Sequence, residues 1–251
     1  MKSLARSSAI ITGASSGIGR ATAIALAQRG TRLALLGRSS EELEKVVKES
    51  LDAGSAEAFG QSVDVQDETD VSAFVASALE KFSSIDVLIN SAGMSINGEV
   101  DGYKTASWRA VINTNLTGTF LTCRAVLPAM KQQGGGQIIN IASGAGHNGI
   151  KEMSAYCASK FGVIGFTESL ALEVRNHNIR VSTLSPGSVS TSFSRRARGL
   201  PQGTGESQES YAMTADEVAS VIIAMLEQPD QAWMSEVILR PLNLDLRRRI
   251  D

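Results

Sequence analysis

Short apolar runs alternate along this chain with longer segments in which apolar residues recur every three or four positions. The runs at 8–12, 32–37, 56–63, 85–90, 137–142, 179–184 and 236–240 predict strands. Between them, the helical period predicts helices near 17–29, 40–53, 67–82, 105–132, 155–176 and 214–227. Several strands are apolar almost throughout, as in Ala-Ile-Ile at 9–11, which is the pattern of a sheet covered by helices on both faces. This βαβ alternation predicts an α/β fold with a parallel, doubly wound sheet and right-handed crossovers. No break in composition marks a second domain, so residues 1–251 read as one domain. The long irregular stretch 185–212, rich in Gly, Ser and Gln, follows the sixth strand directly. A loop that long in a compact domain is usually functional, and its place predicts a lid over about 186–213. A short tail, 242–251, ends the chain.

Composition changes this picture mainly by exclusion. With 43% hydrophobic and 20% charged residues over 251 positions, the chain has the balance of a soluble globular protein. A net charge of -2 gives no reason to expect nucleic acid or an anionic membrane as partner. Two cysteines, Cys123 and Cys157, make no disulfide framework, and no Cys/His cluster has metal-ligand spacing. Cys157 reads as a small packed residue. The first residues lack the long apolar region of a signal peptide, and no run of 18 apolar residues occurs, so the expected location is cytoplasmic.

The candidate chemistry centres on Ser-Ala-Tyr-Cys-Ala-Ser-Lys at 154–160. On a helix, Tyr156 and Lys160 leave the same face one turn apart. An ammonium about 4 Å from a phenolate, at an effective dielectric of about 20, is worth about 4 kcal/mol. That is enough to bring a tyrosine from about 10 towards about 7, where it can exchange a proton with an alcohol or carbonyl oxygen. The plainer reading of such a pair is a ring covered by an aliphatic stem.

The first strand runs into Thr12-Gly13-Ala14-Ser15-Ser16-Gly17-Ile18-Gly19 and then a helix. Glycines here let the chain turn tightly and let a pyrophosphate approach the N–H groups at the helix start. A strand before and a helix after the turn favour a dinucleotide site. At the end of the second strand, where NAD sites carry an acidic residue, the chain has Gly37-Arg38-Ser39-Ser40. Arg38 offers a planar fork and the serines offer hydroxyls for a 2′-phosphate, which points to NADP(H). Glu41 and Glu42 fit the first turn of the next helix, with Ser39 or Ser40 as its cap.

Taken together, these residues resemble the short-chain dehydrogenase/reductase family over about residues 7–240. The Gly13, Gly17 and Gly19 turn follows strand one, Asp64-Val65 ends strand three, and Asn90-Ser91-Ala92-Gly93 ends strand four. Asn115 falls in the long fourth helix, and Ser143 follows strand five. Tyr156 and Lys160 stand 13 and 17 positions after that serine, the family's usual spacing. Pro186-Gly187-Ser188-Val189-Ser190-Thr191 follows strand six. The resemblance implies a Rossmann fold of seven parallel strands in the order 3-2-1-4-5-6-7. It implies catalysis by Asn115, Ser143, Tyr156 and Lys160, with Ser143 and Tyr156 on the carbonyl oxygen. Lys160 would bind the nicotinamide ribose and tune the tyrosine, and Asn115 would hold a relay water. It implies that Gly13, Ser15, Ser16, Gly17, Ile18, Gly19, Arg38, Ser39, Asp64, Val65, Asn90, Ala92, Gly93, Tyr156, Lys160, Pro186, Gly187, Val189 and Thr191 bind the cofactor. It also implies a homotetramer, or a homodimer.

Three positions depart from the family's frequent pattern. Ser91 replaces a second asparagine, Ser16 stands where NADP-preferring relatives often carry a basic residue, and the chain ends Arg240-Pro241 plus a tail with Arg247–Arg249 instead of a glycine-rich segment. The last resembles NADP-dependent carbonyl and hydroxy-acid dehydrogenases. His147 is a candidate substrate contact, His177 a helix-terminal surface residue, and Met94 and Ile96 candidate pocket residues. The leading expectation is an NADPH-dependent carbonyl reductase acting on a small-molecule carbonyl or alcohol. Beside it stand a 3-oxoacyl thioester reductase and a non-catalytic NADP(H)-binding redox sensor. Arg195, Arg196 and Arg198 in the lid read as a solvated basic patch, or as contacts for an anionic substrate or an acyl-carrier partner.

Overall fold

The computed structural model describes residues 4–191, 193 and 212–242. The strands are β1 (Ser8–Thr12), β2 (Arg32–Gly37), β3 (Ala58–Ser62), β4 (Val87–Asn90), β5 (Gly136–Ile141), β6 (Ile179–Pro186) and β7 (Glu236–Leu239). They form one sheet in the order β3-β2-β1-β4-β5-β6-β7. Every pairing is parallel. The helices are α1 (Gly17–Ala27), α2 (Ser40–Asp52), α3 (Glu68–Phe82), α4 (Thr105–Ile112), α5 (Gly118–Gln132), α6 (Ser154–Val174) and α7 (Ala215–Leu226). This is the expected doubly wound Rossmann-like architecture. No helix among the described residues is long and apolar enough to cross a membrane.

Period-two alternation along strands that are apolar on both faces produces two cores. Ala9, Ile11, Leu33, Leu35 and Ile89 meet Leu26 of α1, Leu43 of α2 and Ile222 of α7. Their neighbours Ile10, Ala34, Leu36 and Leu88 point the other way, onto Phe74 of α3, Val126 of α5 and Leu170 of α6. The caps follow from short polar side chains at helix starts. Ser39 accepts from Glu42 N on α2, Asp67 from Asp70 N on α3, and Thr214 forms a reciprocal box with Glu217 on α7. Glu41 and Glu42 occupy the first turn of α2, as expected.

The segment 105–132 differs from the expected single helix. Between α4 and α5 the turns of Asn113–Thr117 widen to a π-helical stretch. Hydrophobic periodicity does not register one extra residue in a turn, so the predicted helix over 105–132 runs straight through it. The widened turn leaves Asn115 O to accept from Thr119 Oγ1 at 2.8 Å and directs the Asn115 side chain inward, fully buried. Gly118 follows at once, against the end of β3. A Cβ there would stand 2.7 Å from Val65 Cγ2 and 3.2 Å from Val65 O. Strands also end slightly differently, with β3 shorter than 56–63 and β6 running on to Pro186. Most of the expected lid (192 and 194–211) and the tail beyond 242 lie outside the described residues, including Arg195, Arg196, Arg198 and Arg247–Arg249.

Gly118→Ala is expected to push α5 off Val65 and to destabilise the fold by about 1–3 kcal/mol. Urea unfolding followed by circular dichroism checks it; an unchanged midpoint would mean that α5 and Val65 are not in close contact.

Candidate active site

The strand order reverses between β1 and β4, and the crevice at their C-terminal ends is where open α/β sheets bind ligands. A cavity of about 610 Å³ runs along those ends, with Gly13, Ser15, Gly37, Asp64, Gly93, Ser143, Tyr156 and Gly187 among its lining.

At one end lies the glycine turn. Gly13 and Gly17 have φ of +64° and +56°, in the left-handed region that favours glycine. A Cβ on Gly13 would stand 2.8 Å from Ala92 Cα, and one on Gly19 would press into the Gly13 carbonyl, so this turn closes only without side chains. Ser16 precedes α1 in extended conformation and makes no side-chain cap. The first amides of α1 therefore receive no side-chain oxygen from Ser16 and stand at the positive end of an 11-residue helix dipole. Ser15, Ser16, Gly17 and Ile18 line the cavity, and Thr191 approaches Gly17 from the β6 side. Arg38 and Ser39 reach the cavity from the end of β2, exposed to solvent. Asp64 and Val65 line it from β3, with Asp64 Oδ1 accepting from Gln66 N at 3.0 Å. Ala92, Gly93, Pro186, Gly187 and Val189 complete this half.

At the other end, Ser143, Tyr156 and Lys160 come together. Ser143 caps the short 3-10 turn Gly144–Gly146, its Oγ accepting from Ala145 N at 3.1 Å, and it also hydrogen-bonds Tyr156. Lys160 Nζ donates to Ile141 O at 2.8 Å and stands 5.7 Å from the Tyr156 ring centre. Burial pushes the Tyr156 phenol up to about 12, with the Ser143 hydrogen bond pulling it back. Burial pushes the Lys160 ammonium down to about 8.

These values depart from the expectation that Lys160 draws the phenol towards about 7. Magnitudes explain why. At that separation and an effective dielectric of about 20, the attraction is about 3 kcal/mol, or roughly two pKa units. Full burial can shift a group by about 3–5 units. The lysine has also lost its proton before the phenol ionises, so the two groups are not charged together in the protein alone.

Two of the expected residues, Asn90 for the cofactor and Asn115 for a relay water, are not among the cavity lining. Asn90 is buried in a polar network: its amide donates to Asn140 Oδ1 at 2.9 Å, and its Oδ1 accepts from Thr122 at 2.6 Å. Asn115 is likewise spent, with Oδ1 accepting from Met94 N, and Nδ2 donating to Met94 O and Ser159 Oγ. Its side-chain hydrogen bonds are committed to that loop and that helix, so it clamps the chain after β4 against α6. Gly19 packs against Gly13 without lining the cavity.

His147 is engaged away from the cavity. Its Nε2 lies 3.0 Å from Ser185 Oγ and 3.4 Å from Glu236 Oε1, which ties the chain after β5 to β6 and β7. Serine and glutamate share one ring nitrogen, and Ser185 is fully buried, so this is not a nucleophilic triad. His177 is exposed in the turn after α6, as expected. Cavity residues that the sequence did not point to include Asn97, Thr114, Ala145, Ile150 and Met153. Thr114 lies in the π-helical stretch and the others in loops, a 3-10 turn or at a helix start, where no periodic pattern marks a facing side. Among the described residues, no group of three His, Cys, Asp or Glu could hold a metal ion.

Residues 7–199 match the family model for short chain dehydrogenases. An uncharacterized oxidoreductase of Staphylococcus saprophyticus is 36% identical over 234 residues, covering 93% of this chain and 97% of that protein. A 3-oxoacyl-[acyl-carrier-protein] reductase of Synechocystis is 39% identical over 202 residues, 80% of this chain and 81% of the relative. Among solved structures, an alcohol dehydrogenase from the archaeon Thermococcus sibiricus, complexed with 5-hydroxy-NADP, superposes with a TM-score of 0.85 at 30% identity, covering 94% of this chain and 97% of the other. With its parallel sheet and the Ser143, Tyr156 and Lys160 cluster, the chain belongs to the short-chain dehydrogenase family and is an oxidoreductase of that family.

Proposed function

We propose that the protein is an NADP(H)-dependent carbonyl reductase, reversible as an alcohol dehydrogenase. The observation that carries this reading is the convergence of Ser143, Tyr156 and Lys160 on one end of a cavity whose other end is the glycine turn flanked by Arg38. The cavity fits a dinucleotide. Gly13, Ser15, Ser16, Gly17, Ile18, Asp64, Val65, Ala92, Gly93, Pro186, Gly187, Val189 and Thr191 would hold it, with Arg38 and Ser39 on the 2′-phosphate. When bound, the nicotinamide supplies the hydride that reduces the carbonyl carbon, and NADPH becomes NADP⁺.

The chain's own residues manage the oxygen. Ser143 donates a hydrogen bond to it, and Tyr156 gives it the proton that completes the alcohol; one preorganised donor of this kind is worth about 3–4 kcal/mol. Lys160, given ribose hydroxyls as acceptors in addition to Ile141 O, holds its proton to higher pH. Its charge then lowers the tyrosine, the coupling that is lost in the protein alone. Asn115 fixes the loop at Met94 that closes this end. A second reading, reduction of a 3-oxoacyl thioester, is favoured by the Synechocystis relative's name. For assembly, the half-exposed Trp108, Phe120 and Phe161 on α4 to α6, and Trp233 and Ile238 beside β7, support a homotetramer.

Three outcomes test this proposal. Tyr156→Phe is expected to lower kcat for ketone reduction at least about 1,000-fold while NADPH titration by fluorescence shows unchanged affinity. Near wild-type turnover would remove Tyr156 from the chemistry. Arg38→Ser is expected to weaken NADPH use by about 10–100-fold in kcat/KM and leave NADH unchanged, since a charge-assisted hydrogen bond contributes about 1.5–3 kcal/mol. Equal losses with both cofactors would exclude a 2′-phosphate contact.

The third outcome concerns stability. Lys160 is lowered from 10.5 to about 8 in the fold. Above about 10.5 the lysine is neutral in both states and burial carries no charge penalty. As pH falls from there to 8, the unfolded chain takes up a proton that the folded chain refuses. Below 8 the full penalty of about 3 kcal/mol applies. Lys160→Met should therefore melt about 4–8 °C higher at pH 7, after about 1 kcal/mol for the orphaned Ile141 carbonyl, and this gain should shrink as pH rises from 8 to about 10.5. A variant that melts lower at pH 7 would show that the buried ammonium stabilises the fold.

A further inference from the structure

Resting on the carbonyl-reductase reading, we propose that the substrate is an uncharged ketone whose carbonyl carries a ring or a ring-sized hydrocarbon group, seated against Phe193 and Met153. The inference comes from the substrate end of the cavity. The Tyr156 and Phe193 rings lie 5.7 Å apart and tilted by 45°. Beside them, Ala145, Ile150, Met153 and Val189 line the wall. Met94, Ile96 and Tyr103 back the same cluster from the chain after β4. Aromatic rings favour tilted or offset partners, and a thioether adds a favourable contact at a ring edge. A flat or puckered ring meets more of this surface than a polar chain does.

Among the described residues, charge is missing from this end. Among the described residues, the charged side chains lining the cavity are Arg38, Asp64 and Lys160. Arg38 and Asp64 belong to the β2 and β3 side of the sheet, opposite the β5 and β6 side that carries Ser143 and Phe193. Lys160 is committed to Ile141 O. At the rim, Lys151 and Glu152 pair with each other at 3.8 Å, and both are exposed. Asn97 adds a neutral amide to the lining, its Oδ1 accepting from Ser95 Oγ at 3.2 Å. A carboxylate on the substrate would leave water for hydrocarbon without a counter-charge among the described residues, which strongly disfavours it. The wall is also held in place beforehand. Gly98 N donates to Glu152 O at 2.8 Å across the two loops, and Tyr103 OH donates to Ile96 O at 2.6 Å. A preformed wall contributes selectivity because little ordering is left to the moment of binding.

A matched pair tests the inference: ethyl phenylglyoxylate and phenylglyoxylate present the same aryl ketone, and they differ by one carboxylate charge. With NADPH and the full chain, the ester is expected to exceed the acid at least about 100-fold in kcat/KM. The same order is expected by isothermal titration of each compound onto the NADP⁺-loaded protein, where no turnover occurs. Phe193→Ala is expected to raise KM for the ester about tenfold, with a smaller change in kcat. Equal use of acid and ester, preference for the acid, or an unchanged KM in Phe193→Ala would each overturn the proposal. So would turnover confined to acetoacetyl-pantetheine or short aldehydes, which would leave the reductase reading standing. Failure to reduce any of these compounds, despite NADPH binding, would remove both.

Discussion

The site depends first on how closely β1 and β4 approach at their C-terminal ends. Thr12, the last residue of β1, accepts through its hydroxyl from both Ser91 N and Ala92 N, at 3.0 and 2.9 Å. The next residue, Gly13, turns away with a positive φ and leaves no room for a side chain against Ala92. One hydroxyl and one missing Cβ thus fix the two strand ends as a unit where the strand order reverses. Everything at the cavity is hung from that point. The glycine turn begins there on one side, and the chain leading to Met94 begins there on the other.

From that pin, a line of buried polar side chains runs under the cavity to α6. Asn90 joins Thr122 of α5 to Asn140 of β5, and Asn140 Nδ2 donates to Thr167 Oγ1 of α6 at 2.9 Å. A second connection runs from Met94 through Asn115 to Ser159, whose Oγ also donates to Tyr156 O at 2.7 Å. Fully paired networks of this kind specify one arrangement of their elements, whereas a purely apolar contact between helix and sheet tolerates sliding. The helix that carries Tyr156 and Lys160 is therefore held in register against β5, which carries Ser143 at its exit. Register matters because one residue's slip would carry the phenol away from the serine.

Much of this was legible in the sequence, and the failures have physical causes. Strands such as β1 and β2 are apolar on both faces, so their position and burial were visible; Gly13 and Ser143 followed from where strands end, and Tyr156 and Lys160 from their spacing on one helix face. The π turn at Asn113–Thr117 was invisible because it changes the helix by a fraction of a turn. Asn90 was read as a cofactor contact, Asn115 as the holder of a relay water, and His147 as a candidate substrate contact. Their neighbours in sequence do reach the cavity, but only the three-dimensional hydrogen-bond partners show that these side chains are committed behind the wall. Ile150 and Met153 left no signal because loop residues have no period.

Burial of Tyr156 and Lys160 is the feature the sequence could least supply, since spacing on a helix fixes direction but not dielectric. Spacing alone led to an ionised tyrosine near neutrality; burial makes the phenol a poor acid and the lysine a poor base in the protein alone. The two shifts have one origin, burial, and in the proposed reaction acceptors arriving beside the lysine would oppose both. Every acceptor that stabilises the ammonium keeps the charge that the phenolate needs. Proton transfer at Tyr156 is then strengthened only once the cavity is filled, when water that could take the proton elsewhere has been displaced. In the proposed reaction the lysine acts as the coupling between a full cavity and an acidic tyrosine, and its hydrogen bond to Ile141 O holds it in place until then.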